Sequence, residues 1–292
     1  MKVFEALSEA AGLLEEKGRE KKLAEAAMLH ILGIQRHELL AGWRREMTES
    51  ERTRFFRFIR RLLEGVPIQY LTGTEFFFSR PFRVTPDVLI PRPETEELVL
   101  GVLNRLRRFP GGGRLEVVDV GTGSGAIAIT LKLEKPELAV TATDLSPTAL
   151  SVARENAERH QADVEFIEGD LLIPFLGKRR FDCIVSNPPY IPREDWKRLD
   201  RTVRDYEPAS ALVGGDDGLY FYRKLIRQMP GVLKEKALVA LEIGYDQREA
   251  VESLLQCQFP GAEIEAEKDI NGKDRMIFAW IGDLADPEKD GT

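Results

Sequence analysis

Val117-Val118-Asp119-Val120-Gly121-Thr122-Gly123-Ser124-Gly125-Ala126 decides the fold. An apolar run of strand character enters a turn with three glycines and leaves as a helix. Glycine lets the backbone bend sharply and approach a ligand closely, and the helix start offers free N–H groups. Taken alone, Gly121, Gly123 and Ala126 also satisfy the dinucleotide fingerprint with alanine in its last place, so the cofactor stays open at this point. Outward from this turn the pattern alternates. Strands are expected at 115–120, 139–144, 164–169, 181–186 and 237–243, and helices at 124–133, 147–160, 219–229 and 246–257. That alternation is the signature of a parallel α/β sheet. The segments 263–268 and 275–281 flank Asn271-Gly272, a hairpin dipeptide, so a seven-stranded Rossmann-like sheet is expected to finish with an antiparallel pair.

Two carboxylates stand at the next strand ends. Asp144 lies 21 residues beyond Gly123 and suits a pair of ribose hydroxyls, which NAD and S-adenosylmethionine both possess. Asp170 closes the following strand, where an adenine amino group could be met. The fourth strand separates the two cofactors. Phe181-Asp182-Cys183-Ile184-Val185-Ser186 runs into Asn187-Pro188-Pro189-Tyr190. Two successive prolines lack N–H groups and hold φ fixed, so the loop is stiff and its carbonyls point outward as acceptors. Asn187 adds an amide carbonyl and Tyr190 a flat ring, which together form a clamp for a planar NH₂ group. An amide or aromatic amine nitrogen is a poor nucleophile, because its lone pair is delocalised. Holding both hydrogens and aiming that lone pair at an electrophilic methyl is the help it needs. Hydride transfer has no use for such a clamp.

The combination of GTGSG, an acidic second strand and NPPY resembles the amino-group methyltransferases that use S-adenosylmethionine. Further segments narrow the resemblance: Gln69-Tyr70-Leu71-Thr72-Gly73, Ile90-Pro91-Arg92-Pro93-Glu94-Thr95-Glu96, the run from Tyr206-Glu207-Pro208 through Ala211-Leu212 to Gly214-Gly215-Asp216-Asp217-Gly218-Leu219, and Glu242-Ile243-Gly244. With these, residues 4–281 resemble the bacterial release-factor glutamine methyltransferases, the PrmC/HemK family. The resemblance implies a class I methyltransferase fold and N5-methylation of the glutamine in the Gly-Gly-Gln motif of class-1 peptide chain release factors. It implies that Asp119, Gly121, Thr122, Gly123, Ser124, Gly125 and Asp144 hold the cofactor together with Asp170, Leu171 and Asn187. The glutamine amide would fall to Asn187, Pro188, Pro189 and Tyr190, with Asn187, Pro188 and Tyr190 carrying the catalysis. One position departs: family members often place an aromatic residue after the acidic end of the third strand, and here it is Leu171. Leucine still covers the adenine by apolar contact, with weaker cofactor binding as the expected consequence.

The rest of the chain reads differently. Residues 1–72 form helix after helix, with Thr48 and Glu51 fitting a capping box and His30 on an apolar face, expected in a core. Residues 73–92 are expected as a β-hairpin linker turning around Ser79-Arg80-Pro81, residues 93–282 as the methyltransferase domain, and 283–292 as a polar tail. Pro93 is well placed to open a helix over 94–108, which Pro110-Gly111-Gly112-Gly113 ends. Arg54, Arg57, Arg60 and Arg61 interleave with Phe55, Phe58, Ile59 and Leu62; an amphipathic helix with solvated arginines is favoured over a docking surface for an acidic or RNA-like partner.

Length and composition bound the remainder. The 292 residues suit two domains, and 43% hydrophobic with 31% charged residues is ordinary globular usage. No stretch approaches the roughly 18 apolar residues of a membrane span, and the charged amphipathic start does not resemble a signal peptide. Two cysteines and three histidines, none at ligand spacing, argue against a disulfide scaffold and a metal centre. The chain reads as cytoplasmic, with monomer as the expectation. Residues 1–85 carry +3 and the remainder −10, so no electrostatic grip on a long nucleic acid is evident and no DNA partner is expected. A DNA or RNA amino methyltransferase stays as the alternative, because adenine N6 and cytosine N4 present the same NH₂. A non-catalytic binding module is the rival from another class.

Overall fold

The computed structural model describes residues 1–109 and 114–282; the expected break at 110–113 and the polar tail lie outside the described residues. The described chain divides into two compact units, one of residues 1–74 with 200–206 and one of residues 75–199 with 207 onward.

The first unit is built from α1 (Val3–Glu16), α2 (Lys22–Leu32), α3 (Arg36–Ala41), α4 (Glu49–Glu64) and α5 (Ile68–Thr72). Thr48 caps α4 by accepting from the Glu51 N–H at 3.2 Å, and Gly65 ends it at φ 107. Phe55, Phe58, Ile59 and Leu62 of α4 are buried with Leu7, Leu14 and Met28, whereas Arg54, Arg57, Arg60 and Arg61 are exposed. His30 is not a core residue. It is exposed at the rim of its helix face, with its ring against Phe58 at 5.4 Å. The segment 200–206 joins this unit, where the Tyr206 hydroxyl donates to the Glu64 carbonyl at 3.1 Å.

The second unit begins with a hairpin, β1 (Thr74–Phe77) and β2 (Arg80–Arg83). Its turn falls on Phe78 and Ser79, at φ 52 and 60, earlier than the Ser79-Arg80-Pro81 centre the sequence suggests. Two successive left-handed residues match the twist of a two-residue hairpin. Pro81 fits inside β2 because a two-stranded ribbon leaves an outer edge that needs no donor. Buried Phe77 and Phe82 anchor the ribbon, and the Phe78 N–H donates to Glu96 Oε1 at 2.8 Å.

The chain continues through α6 (Pro93–Arg105), β3 (Glu116–Val120), α7 (Ala126–Glu134), β4 (Ala139–Asp144), α8 (Pro147–His160), β5 (Val164–Glu168), β6 (Phe181–Ser186), the short α9 (Arg193–Trp196) and α10 (Arg201–Arg204), α11 (Tyr220–Gln228), β7 (Leu233–Glu242), α12 (Arg248–Gln258), β8 (Glu263–Lys268) and β9 (Asp274–Ile281). The seven-stranded sheet has the order β5-β4-β3-β6-β7-β9-β8 and is parallel except for β9, which runs antiparallel to both β7 and β8. Apolar clusters cover both faces, as a parallel sheet requires. Strand β7 starts at Leu233, before the expected 237, because Leu233 pairs with Phe181 ahead of a register shift, with the polar Lys234-Glu235-Lys236 between it and the apolar run. At the other end, Asp269 Oδ1 accepts from the Asn271 and Lys273 N–H groups and shapes the Asn271-Gly272 turn.

The chain order reverses at β3, which has β4 on one side and β6 on the other. Doubly wound sheets bind ligands outside the carboxyl ends of strands at such a switch point.

Candidate active site

The sheet register sets four strand ends side by side. Val120 pairs with Thr143 of β4 and with Ser186 of β6, and Ser186 pairs with Leu241 of β7. The residues that follow, Asp144, Gly121, Asn187 and Glu242, therefore form one row across β4, β3, β6 and β7. Ser186 reinforces its middle by donating from Oγ to the Val120 carbonyl at 2.7 Å.

The glycine turn occupies one half of the row. Gly121, Gly123 and Gly125 all adopt left-handed φ, of 76, 55 and 82. A Cβ at Gly121 or Gly123 would face open space, whereas one at Gly125 would meet Ile129 Cδ1 at 2.8 Å. The first two glycines thus leave room above the strand end, and the third lets α7 pack closely. Thr122 and Ser124 are buried, the Thr122 hydroxyl donating to Asp119 Oδ2 at 2.6 Å. Asp119 Oδ2 also accepts from the Ala128 N–H at 3.2 Å, while its Oδ1 is buried without a partner. Burial pushes the Asp119 carboxyl up to about 7. Asp144 Oδ2 accepts from the Gly123 N–H and Oδ1 from the Ser146 N–H, each at 2.9 Å. Burial raises its carboxyl too. Two accepted bonds leave part of this carboxylate's capacity for a ligand.

Asp170 and Leu171 lie beyond β5. Asp170 ion-pairs through Oδ2 with Lys224, and Leu171 takes a left-handed φ of 54 while its carbonyl accepts from the Thr143 hydroxyl at 3.2 Å. The Leu171 side chain packs on the same apolar cluster as Tyr190.

The Asn187-Pro188-Pro189-Tyr190 loop occupies the other half. Asn187 is half-buried; its Nδ2 donates to Thr95 Oγ1 at 3.1 Å, and Thr95 in turn donates to Glu242 Oε2 at 2.6 Å. Tyr190 is held from both ends: its carbonyl accepts from Gln247 Nε2 at 2.9 Å, and its hydroxyl lies 3.4 Å from Arg275 Nη1. Burial pushes the Tyr190 phenol up to about 12, so it is neutral at ordinary pH. Glu242 is pushed up to about 7, chiefly by burial, against hydrogen bonds from Thr95 and Asn187 and the Arg275 cation. The first turn of α6 carries two carboxylates, Glu94 and Glu96. Glu96 holds the hairpin turn, while Glu94 acts on Glu242 only through its charge.

Sequence reasoning singled out no role for Thr95, Gln247 or Arg275. A signal was present for Thr95: it is the polar member of the inward face Thr95, Leu98, Val99 and Val102.

Comparison with known proteins matches residues 5–73 to the PrmC N-terminal domain and residues 102–202 to the methyltransferase small domain. The release factor glutamine methyltransferase of Bacillus anthracis is 50% identical over 282 residues, covering 96% of this chain and 100% of that protein. The chain belongs to the release factor glutamine methyltransferases. The enzyme of that name from Bacillus subtilis is also 50% identical, across 96% of this chain and 98% of its own. A solved methyltransferase from Pyrococcus furiosus, 20% identical, shares the fold with a TM-score of 0.52 over 77% of this chain and 98% of its own.

Within the second unit, Ile90–Glu96, the run from Glu207 to Leu219 and Glu242-Ile243-Gly244 bond or pack against one another and the NPPY loop. Arg92 Nη2 donates to buried Glu207 Oε1 at 2.5 Å, which joins the Ile90–Glu96 segment to Glu207-Pro208. A Cβ at Gly214 would meet the Pro189 carbonyl oxygen at 2.6 Å and Tyr190 Cα at 2.8 Å, and one at Gly218 would meet the Tyr190 carbonyl oxygen at 2.3 Å. The Gly244 N–H donates to Gln247 Oε1 at 3.0 Å and aims the other end of that amide at Tyr190.

Proposed function

We propose that the protein methylates the side-chain amide nitrogen of the Gly-Gly-Gln glutamine in class-1 peptide chain release factors, using S-adenosylmethionine. One observation carries this reading: Asn187 spends its NH₂ on Thr95, and its Oδ1 accepts no hydrogen bond among the described residues. An acceptor beside a glycine cradle suits a substrate that brings an N–H.

The residues present fit the cofactor. Gly121 and Gly123 leave open space above β3, Asp144 has acceptor capacity for a ribose diol, and Asp119, where ionised, places negative charge beneath the turn, suited to a cationic ligand. Thr122 and Ser124 shape the turn from inside, and Leu171 and Asp170 border the adenine side. When bound, S-adenosylmethionine supplies a sulfonium methyl whose S–C bond breaks as the N–C bond forms, one amide proton leaving to water. Asn187 Oδ1 and the Pro188 carbonyl accept the two amide hydrogens, and the Tyr190 ring fixes the amide plane. With the lone pair aimed, no strong base is needed before attack, and neutral Tyr190 offers none.

The helical unit is assigned to recognition of the release factor, and the protein to the cytoplasm as a monomer without a DNA partner. Among the described residues, no helix is long and apolar enough to cross a membrane.

The test is transfer of radiolabelled methyl from S-adenosylmethionine to purified release factor, beside its Gly-Gly-Gln glutamine→alanine variant and beside duplex and single-stranded DNA. Label on the wild-type factor alone is expected. Label on DNA would move the substrate to the nucleobases.

A further inference from the structure

We propose that Thr95 and Glu242 form a one-way hydrogen-bond relay that fixes which end of the Asn187 amide faces the substrate, making both of them positioning residues for methyl transfer. The inference rests on the reading that Asn187 Oδ1 accepts from the substrate amide, and it explains how that oxygen comes to face outward. An asparagine amide is nearly symmetric in shape, and a half-turn about its last bond exchanges an acceptor for a donor. Facing outward with its NH₂, Asn187 would set donor against donor and expel the glutamine amide. Something must break the symmetry.

The structure contains that element. When ionised, as it is above about pH 7, the Glu242 carboxylate can only accept, which obliges Thr95 to donate its single hydroxyl hydrogen, as it does at 2.6 Å. With that hydrogen spent, Thr95 Oγ1 can only accept, and the group it accepts from is Asn187 Nδ2 at 3.1 Å. The polarity set at the end of β7 thus reaches the NPPY loop through one hydroxyl on α6. The relay is protected: Thr95 and Glu242 are 5% and 2% exposed, so water does not compete for either. The assignment to both is orientation, not proton transfer. Glu242 is held in place through its own backbone, its carbonyl accepting from buried Tyr222 at 2.8 Å.

The test compares Thr95→Val, which keeps the shape of threonine without its hydroxyl, Thr95→Ser, which keeps the hydroxyl, and Asn187→Ala. Turnover and KM for whole release factor are measured together with the S-adenosylmethionine dissociation constant by calorimetry. Thr95→Val is expected to lower kcat at least about tenfold, short of the roughly 10²–10³-fold typical of losing a preorganised polar contact outright. Its KM and cofactor affinity should stay near wild type, and Thr95→Ser should restore kcat to within a few-fold. Normal turnover in Thr95→Val beside a crippled Asn187→Ala would overturn the relay and leave the clamp standing. Normal turnover in Asn187→Ala would overturn both. Should Thr95→Val fail to fold, the Asn187 side-chain NH₂ resonances of the wild-type protein decide. One slowly exchanging, downfield proton is expected, and two solvent-like protons would refute the relay.

Discussion

The backbone N–H of Gly123 donates to Asp144 Oδ2 across 2.9 Å, so the acid at the end of β4 holds the glycine turn that follows β3. Its other oxygen accepts from the Ser146 N–H at the start of α8. The same carboxylate therefore shapes the cradle and, in the proposed function, binds the ribose. Hydrogen bonds to a charged acceptor contribute about 1.5–3 kcal/mol each. Asp144→Ala is expected to raise the S-adenosylmethionine dissociation constant roughly 10- to 100-fold, with kcat at saturating cofactor little changed. Calorimetry beside steady-state kinetics checks this, and unchanged affinity would remove Asp144 from the site.

Gly214 carries a steric prediction. An alanine methyl there would lie 2.6 Å from the Pro189 carbonyl oxygen and 2.8 Å from Tyr190 Cα, both on the backbone of the loop that presents the clamp. Backbone cannot rotate aside as a side-chain tip can. Gly214→Ala should displace the NPPY loop and reduce kcat by about tenfold or more, since small misplacements cost heavily in an oriented site. Cofactor affinity, which the proposed function places in the other half of the row, should persist. A variant with wild-type turnover would show that the loop tolerates the shift.

Folding stability should fall as pH rises. Glu242 and Asp119 both titrate near 7 in the fold because burial disfavours their charged forms, against 4.5 and 3.8 ordinarily. Between the unfolded and folded values the folded chain binds more protons, so stability is lost as pH climbs through that window and levels off above about 7. Facing Glu242 are the Arg275 cation and the Thr95 and Asn187 hydrogen bonds, which moderate the shift, and Glu94, which increases it. Glu242→Gln removes one of the two titrations. Its stability relative to wild type should improve by about 3 kcal/mol between pH 4.5 and 7.5, from the usual 1.4 kcal/mol per unit. Urea unfolding at both pH values measures it, and a gap independent of pH would contradict the burial argument.

Gly101 tests the packing of α6 on the sheet. A Cβ there would meet Phe278 Cζ at 2.3 Å, and the Arg105 guanidinium lies 3.6 Å from the centre of the same ring. Alanine favours a helix over glycine by about 1 kcal/mol, yet overpacking a filled core costs about 1–3 kcal/mol. Gly101→Ala should therefore lower the denaturation midpoint despite its better helix propensity. A raised midpoint would mean that the ring has room to move.

Much of this was legible in the chain. Expected elements at 139–144, 147–160, 181–186 and 263–268 coincide with β4, α8, β6 and β8, because their apolar pattern and flanking caps leave little choice. The hairpin turn was misplaced because Phe78 and Ser79 are not residues that normally advertise left-handed φ. The affiliation of residues 200–206 with the helical unit has no local signal, since the choice is made by tertiary packing. NPPY and GTGSG declare themselves as motifs. Thr95 and Glu242 do not: one reads as a helix start and the other as a strand end, and only the fold brings their side chains together.

The row of strand ends also governs when the site comes into being. Gly121 and Asp144 belong to strands that follow each other closely, and Asn187 comes next. Glu242 closes β7, and its bond to Thr95 spans 147 residues of chain. Contacts of such sequence separation form late, because the closure entropy of the intervening chain must first be overcome. During folding, the cradle for the cofactor can thus be complete while the Asn187 amide is still free to turn. Of the four strands in the row β7 is the last in the chain, and its arrival would complete the half proposed to hold the substrate amide.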